Sequence, residues 1–233
     1  MTDIVEEERD RRSVLRAALG IGLYAGAFGA SFGAVAVGSG LSLAQTMVLS
    51  LVMFSGASQF AFAGVAAAGG SAVTAVAAAL LLGVRNAFYG VSLAGILTPR
   101  GPARLGTAHF VIDETTAMAV GQPSRGLQRY AFWATGLTLC ALWQLGTLAG
   151  ALAGGAVDPS DFGLDAAAPA VFLALLWPAL RRREARWVAL LGAAVALALV
   201  PVVPQGVPVL AAAGVALLAG LRPAATGGTD PEP

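Results

Sequence analysis

Residues 71–98 read SAVTAVAAALLLGVRNAFYGVSLAGILT, 28 positions in which Arg85 is the one charged side chain. A helix needs about 20 mostly apolar residues to cross the hydrocarbon of a bilayer. This stretch is longer than that and carries Arg85 near its middle, with apolar residues on both sides. A charge at a helix centre costs roughly 2.5–3.5 kcal/mol on insertion scales, so it usually faces a cavity or a partner. The stretch therefore sets the solvent of the fold, which is lipid, and marks the first residue to consider for function.

The pattern repeats outward in both directions. Apolar runs fall at about 14–37, 41–67, 71–98, 105–122, 130–155, 166–180, 187–203 and 207–221, separated by turn residues or charges. The whole chain is 57% hydrophobic and 12% charged with a mean hydropathy of +0.76, whereas soluble domains carry about 25% charged residues. The runs lack the two-residue alternation of a barrel strand, and only helices or closed barrels can satisfy backbone groups in hydrocarbon. The expected fold is all-α, a polytopic transmembrane helical bundle of about seven or eight spans. Residues 1–13 are read as a cytoplasmic N-terminal segment, 14–222 as the membrane domain and 223–233, rich in Pro, Gly and Thr, as a disordered tail.

Composition also excludes several functions. Net charge is +1 with no basic stripe, which argues against nucleic acid. Cys140 is the only cysteine and His109 the only histidine, so neither an internal disulfide nor a Cys-rich or HExxH metal site is expected. No phosphate loop or serine elbow occurs, so neither a cofactor nor enzymatic activity is expected. Trp133, Trp143, Trp177 and Trp187 include candidates for interface anchors.

Arginine placement orients the bundle, since positively charged loops stay cytoplasmic. If all eight runs cross, Arg9, Arg11, Arg12, Arg16, Arg125, Arg129, Arg181, Arg182, Arg183, Arg186 and Arg222 share one side, and both termini are cytoplasmic. Asp158, Asp161 and Asp165 lie opposite, but so do Arg100 and Arg104, which breaks the rule. A fourth run that re-enters instead of crossing changes that count. Small residues four apart (Gly22 and Gly26, Gly29 and Gly33; Gly146, Gly150 and Gly154) permit close helix packing, either inside the chain or against a second copy.

The second and third runs exceed a straight span, and each has a polar interruption: Ser55, Gly56, Ser58 and Gln59 in one, Gly83, Arg85 and Asn86 in the other. Paired discontinuous helices are a sequence pointer to a transporter's midplane site. Ser55, Gly56, Gln59, Arg85, Asn86 and Tyr89 are the candidate solute contacts, with Arg85 offering paired donors to a carboxylate. In the fourth run Asp113 and Glu114 are adjacent and point about 100° apart on a helix. Asp113 is expected to meet a proton or a substrate ammonium. Glu114 is expected to serve coupling or to pair with Arg85.

The segments MFSGASQFAFAGVAAAGG, LLLGVRNAFYGVSLAGIL, HFVIDETTAMAV and CALWQLGTLAGALAGG, in this order and spacing, resemble the AzlC family, the large subunit of two-component branched-chain amino-acid exporters. The resemblance runs from about residue 20 to 220. It implies a bacterial inner-membrane permease that exports hydrophobic amino acids with a small AzlD-type membrane subunit. The family's Gly, Ala and Gln fall on Gly56, Ala57 and Gln59, and its acidic pair on Asp113 and Glu114. Its preceding hydroxyl residue is replaced by Ile112. The expected mechanism is alternating access, with the amino-acid carboxylate near Arg85, its side chain against Phe60 and Phe88, and proton coupling through Asp113 or Glu114. The rival readings are an uncoupled facilitator for another solute and a scaffold subunit that transports nothing.

Overall fold

A computed structural model of the chain describes residues 2–155, 173, 176, 177, 179–203 and 207–220, and the regular elements among them are all helical. Most of the run at 166–180, the acidic loop of Asp158, Asp161 and Asp165, Arg222 and the tail 223–233 lie outside the described residues.

The first helix, α1, runs unbroken from Thr2 to Gly38. The charged segment before residue 14 is thus continuous with the first apolar run. Its charges support the helix locally, because Glu7 pairs with Arg11 at 2.9 Å and Glu8 with Arg12 at 3.6 Å, both one turn apart. At 1.5 Å per residue α1 is about 55 Å long, well beyond a hydrocarbon thickness of about 30 Å.

The longest partner of α1 is α8, Arg125–Gly155. Both glycine stripes lie in this one contact. Gly22 faces Thr138 and Leu142, Gly33 faces Thr147 and Ala151, and in return Gly146, Gly150 and Gly154 face Gly26, Ala30 and Ala34. Residue numbers rise together, so the two helices are parallel. A Cβ on Gly146 or Gly150 would run into the backbone carbonyl of Gly26 or Ala30, so the approach is backbone to backbone. At the beginning of the pair Val14 packs with Leu127 and Ala131, and the Arg11 guanidinium sits 5.2 Å above the Tyr130 ring.

The second apolar run divides into α2 (Leu43–Val52) and α3 (Gly56–Ala67), with Met53–Ser55 out of helix between them. The third forms α4 (Ala72–Gly83) and α5 (Arg85–Leu93). Here the expected break does not occur. Val84 stays in the right-handed helical region at φ −53° and ψ −33°, and its N–H still reaches Leu80 O at 3.0 Å. Residues 72–93 therefore act as one 22-residue apolar helix. The fourth run is the broken one, with α6 (Ala103–His109) and α7 (Asp113–Val120) separated by Phe110–Ile112.

Contacts give the direction of each piece. The end of α5 meets the start of α8: Leu93 and Leu97 pack with Phe132, Arg129 Nε donates to Ile96 O at 2.8 Å, and Arg125 donates to Gly95 O. The α4–α5 helix therefore begins at the opposite end of the bundle. A four-residue turn, with Gly69 at φ +76°, joins α3 to α4, and Ser58 at the start of α3 lies beside Gly83 at the end of α4. Because α3 runs antiparallel to α4, it returns to the end from which α2 came. The α2–α3 pair is a hairpin. So is α6–α7, which enters from the other end: Met118 on α7 packs back against Val14 and Leu127, and Ala119 against Phe132. The tips meet in the middle, where the Phe54 ring lies 5.5 Å from His109 and 5.7 Å from Phe110.

This folding-back changes the span count expected from eight runs. Three helices are long and apolar enough to cross a bilayer among the described residues: Glu7–Gly38, Ala72–Leu93 and Arg125–Gly154. It also removes the arginine misfit. With α6–α7 turning back, Arg100 and Arg104 lie at the same end as Arg125, Arg129 and the arginines of α1. Further along the chain, α9 (Arg183–Leu199) follows a 3-10 turn at Ala179–Arg181 and precedes α10 (Val207–Gly220). Gly192 of α9 faces Ala212 of α10, and Leu210 rests on the α3–α4 cluster of Ala61, Val65, Ala75 and Ala78.

Gly150→Val places a branched Cβ against the Ala30 carbonyl, and neither helix backbone can yield cheaply. It is expected to lower stability by roughly 1–3 kcal/mol or more, read as an earlier thermal transition of the detergent-solubilised protein. Gly20→Ala, where a Cβ meets open space, serves as the control and is expected to leave the transition in place.

Candidate functional site

Breaking α2 leaves carbonyls at its end without helical partners, and hydrocarbon offers no water to take them. Gln59, fully buried one turn into α3, supplies the missing donor: its Nε2 donates to Ser50 O at 3.3 Å and to Met53 O. Its Oε1 accepts from Trp143 Nε1 at 3.0 Å. One amide thus ties the break to α3 and α8. The Trp143 ring lies over Gly56, where a Cβ would come within 2.9 Å of the ring, and stacks 6.4 Å from Phe32, which meets Phe60 edge-on at 5.6 Å.

The second break is served by a hydroxyl. Thr115, fully buried, donates from Oγ1 to Phe110 O at 2.6 Å and accepts from Ile112 N–H at 3.1 Å, while Thr116 Oγ1 donates to Ile112 O at 2.7 Å. Gly136 of α8 allows Phe110 and Thr115 to pack close. Gly136 and Trp143 are seven residues apart, about two turns on one face. A single face of α8 therefore backs both breaks.

Between the breaks, α1 and α5 lies a cleft of about 1030 Å³. Its walls are mainly apolar, with Ile21, Phe28, Phe54, Phe60, Leu139 and Trp143, and its polar groups are Tyr24, Ser55, Arg85, Asp113 and Glu114. Arg85 Nη2 stands 3.6 Å from Asp113 Oδ1, which joins the middle of the α4–α5 helix to the first residue of α7. Arg85 thus pairs with Asp113 rather than with Glu114, which lines the same cleft. Both carboxyls occupy the first turn of α7, where the helix dipole favours negative charge. A smaller cavity of about 460 Å³ at the arginine end is lined by Leu97, Arg100, Arg104 and Thr107, with none of the residues expected at the solute.

Of the expected solute contacts, Ser55, Gly56 and Arg85 line the cleft and Gln59, Asn86 and Tyr89 do not. Gln59 lies behind the wall, held on backbone and indole. Asn86 Oδ1 is buried with no hydrogen-bond partner among the described residues, and Tyr89 packs on the cluster of Leu93, Leu97 and Phe132. Phe88 is 70% exposed and is not among the residues of the cleft that Phe60 lines. Tyr24 and Phe28 are cleft residues that hydropathy does not single out. Their signal in the sequence is the glycine stripe beside them, which brings that part of α1 against α8.

A model of the AzlC protein family matches residues 20–157, more than half of the chain. The matched region contains both breaks and every cleft residue named so far. The chain is also 28% identical over 194 residues to the inner membrane protein YgaZ of Escherichia coli (strain K12), an alignment that covers 79% of this chain and 78% of that protein. No solved structure matches.

Gln59→Leu keeps the volume but leaves the Ser50 carbonyl and the Trp143 N–H without their partner, while Met53 O loses one of two donors and still accepts from Ser55 N–H at 2.7 Å. It is expected to cost about 1–3 kcal/mol per stranded group, seen as a large fall in the melting temperature of the purified protein. Trp143→Phe keeps the ring over Gly56, removes one donor, and is expected to cost less.

Proposed function

The chain belongs to the AzlC family of membrane proteins, and on that premise we propose that it is the large subunit of a two-component inner-membrane exporter of branched-chain and other hydrophobic amino acids. The observation that carries the reading is the chemistry of the cleft, in which an aromatic and aliphatic wall stands beside one ion pair and a second carboxyl. An aliphatic side chain gains by leaving water for such a wall, at about 25 cal/mol per Å² of apolar surface, while the charged end of the same molecule needs charged or strongly polar partners.

Export against a gradient needs an energy source, and the proton gradient is the economical one. The Arg85–Asp113 pair is the switch in this reading. A proton on Asp113 removes its attraction for Arg85 and loosens α7 from the α4–α5 helix, and Glu114 relays or holds the second charge. Two hairpins entering from opposite ends then serve as the two gates of alternating access, each opening the cleft to one side. The arginine end faces the cytoplasm by the positive-inside rule. With the two hairpins re-entering and every other apolar run crossing as its hydropathy in the sequence suggests, both termini are cytoplasmic. A small AzlD-type membrane subunit completes the exporter.

Labelled leucine efflux is measured from everted and right-side-out vesicles containing the chain and its small partner. Arg85→Ala, Asp113→Asn and Glu114→Gln are each expected to reduce gradient-driven transport at least about tenfold at normal membrane levels, a loss of about 1.4 kcal/mol. Full transport in all three would sink the proposal, and efflux indifferent to collapse of the proton gradient would favour a facilitator instead.

A further inference from the structure

Two half-helices begin at the cleft, and they differ in one respect. The first turn of α7 carries its own anions, Asp113 and Glu114, whereas the first turn of α3 carries none. The N-terminus of a helix presents unpaired N–H groups and a partial positive charge, and a Ser at the N-cap ordinarily satisfies part of that need with its hydroxyl. Ser55 holds the N-cap position of α3 in an extended conformation, at φ −153° and ψ 104°, yet its side chain makes no cap hydrogen bond. The residue is only 8% exposed, it lines the cleft, and its Oγ has no hydrogen-bond partner among the described residues. Gly56 and Ala57, the next two residues, also line the cleft. A buried hydroxyl without a partner costs free energy, and here it stands beside the first amides of a helix, which its own side chain does not cap.

From this we infer that the start of α3, with the Ser55 hydroxyl and the N–H groups of the first turn, is the subsite for the carboxylate of the transported solute. Arg85 is assigned to the ion pair instead, since its Nη2 stands 3.6 Å from Asp113 Oδ1, while its buried Nε has no hydrogen-bond partner among the described residues. The inference rests on the amino-acid reading and adds where the carboxylate goes. Three parts of the cleft then have separate roles. The dipolar end on α3 takes an anion at no cost to the ion pair, the apolar wall takes the side chain, and the Arg85–Asp113 pair is left free to respond to protons. Backbone donors at a helix start suit the role because they are fixed in place before the ligand arrives.

The test uses the full chain in lipid nanodiscs with its small partner, and compares binding of L-leucine with that of leucinol, which keeps the ammonium and side chain but lacks the carboxylate. Wild-type protein is expected to prefer leucine by at least about tenfold, the usual worth of a hydrogen bond to a charged group. Ser55→Ala is expected to reduce that preference severalfold without lowering the melting temperature, because the hydroxyl makes no bond among the described residues. Ser55→Asp puts a carboxylate at the helix start itself. It is expected to hold or raise the melting temperature, to abolish leucine binding, and to leave leucinol binding intact. Arg85→Gln is expected to keep the leucine-to-leucinol ratio even where it weakens both. Leucine binding unaffected by Ser55→Asp, or a ratio lost in Arg85→Gln and kept in Ser55→Ala, would overturn the subsite alone. A wild-type protein that binds no leucine would overturn the amino-acid reading and the subsite with it.

Discussion

A helix cannot break in hydrocarbon unless something takes the hydrogen bonds it gives up, and in this protein that constraint falls on Gln59. Its amide donates to two carbonyls at the end of α2 and accepts from the Trp143 indole. The remaining architecture follows from that arrangement. With the carbonyls satisfied, Met53–Ser55 can leave the helix and α3 can turn back. With Trp143 held in place, residue 56 has no room for a side chain, and the same face of α8 reaches two turns back to Gly136 and the second break.

The close contact between α1 and α8 is what brings that face into position. Glycines on both helices let backbone meet backbone, and the parallel pair forms a wall to which both hairpins are attached. Phe54 against His109 and Phe110 then fixes how far each hairpin reaches. The cleft is the space left between two tips that meet on one side only. Ser55, Asp113 and Glu114 lie there because both breaks end in the first turns of half-helices, where amides are free and carboxylates are favoured.

The arginines show how a local rule and a tertiary fact depend on each other. Read as eight crossings, the chain puts Arg100 and Arg104 on the wrong side. Read with α6–α7 folded back, the described arginines of the first 129 residues gather at one end, apart from Arg85. Arg85 remains inside because Asp113, 28 positions along the chain, comes to meet it, and that partner also explains why the α4–α5 helix passes through Val84 without breaking. In sequence, Gly83, Arg85 and Asn86 have the look of an interruption, but a charge with a counter-ion needs no open backbone.

Hydropathy by itself determined that this is a helical membrane protein, because apolar length and the need to pair every backbone group leave no other solution. It also singled out Ser55, Gly56, Gln59, Arg85, Asp113 and Glu114, since a polar side chain in such a run is expensive and so conspicuous. What it left open was direction. Apolar length is the same whether a helix crosses or turns back, and only the contacts of Ser58 with Gly83 and of Met118 with Val14 decide that α3 and α7 return. Nor does hydropathy distinguish a polar group that holds the fold from one that lines the cleft. Gln59 is buried on backbone while the hydroxyl of Ser55, four residues earlier, has no partner among the described residues and the residue lines the cleft, and only packing in three dimensions separates the two.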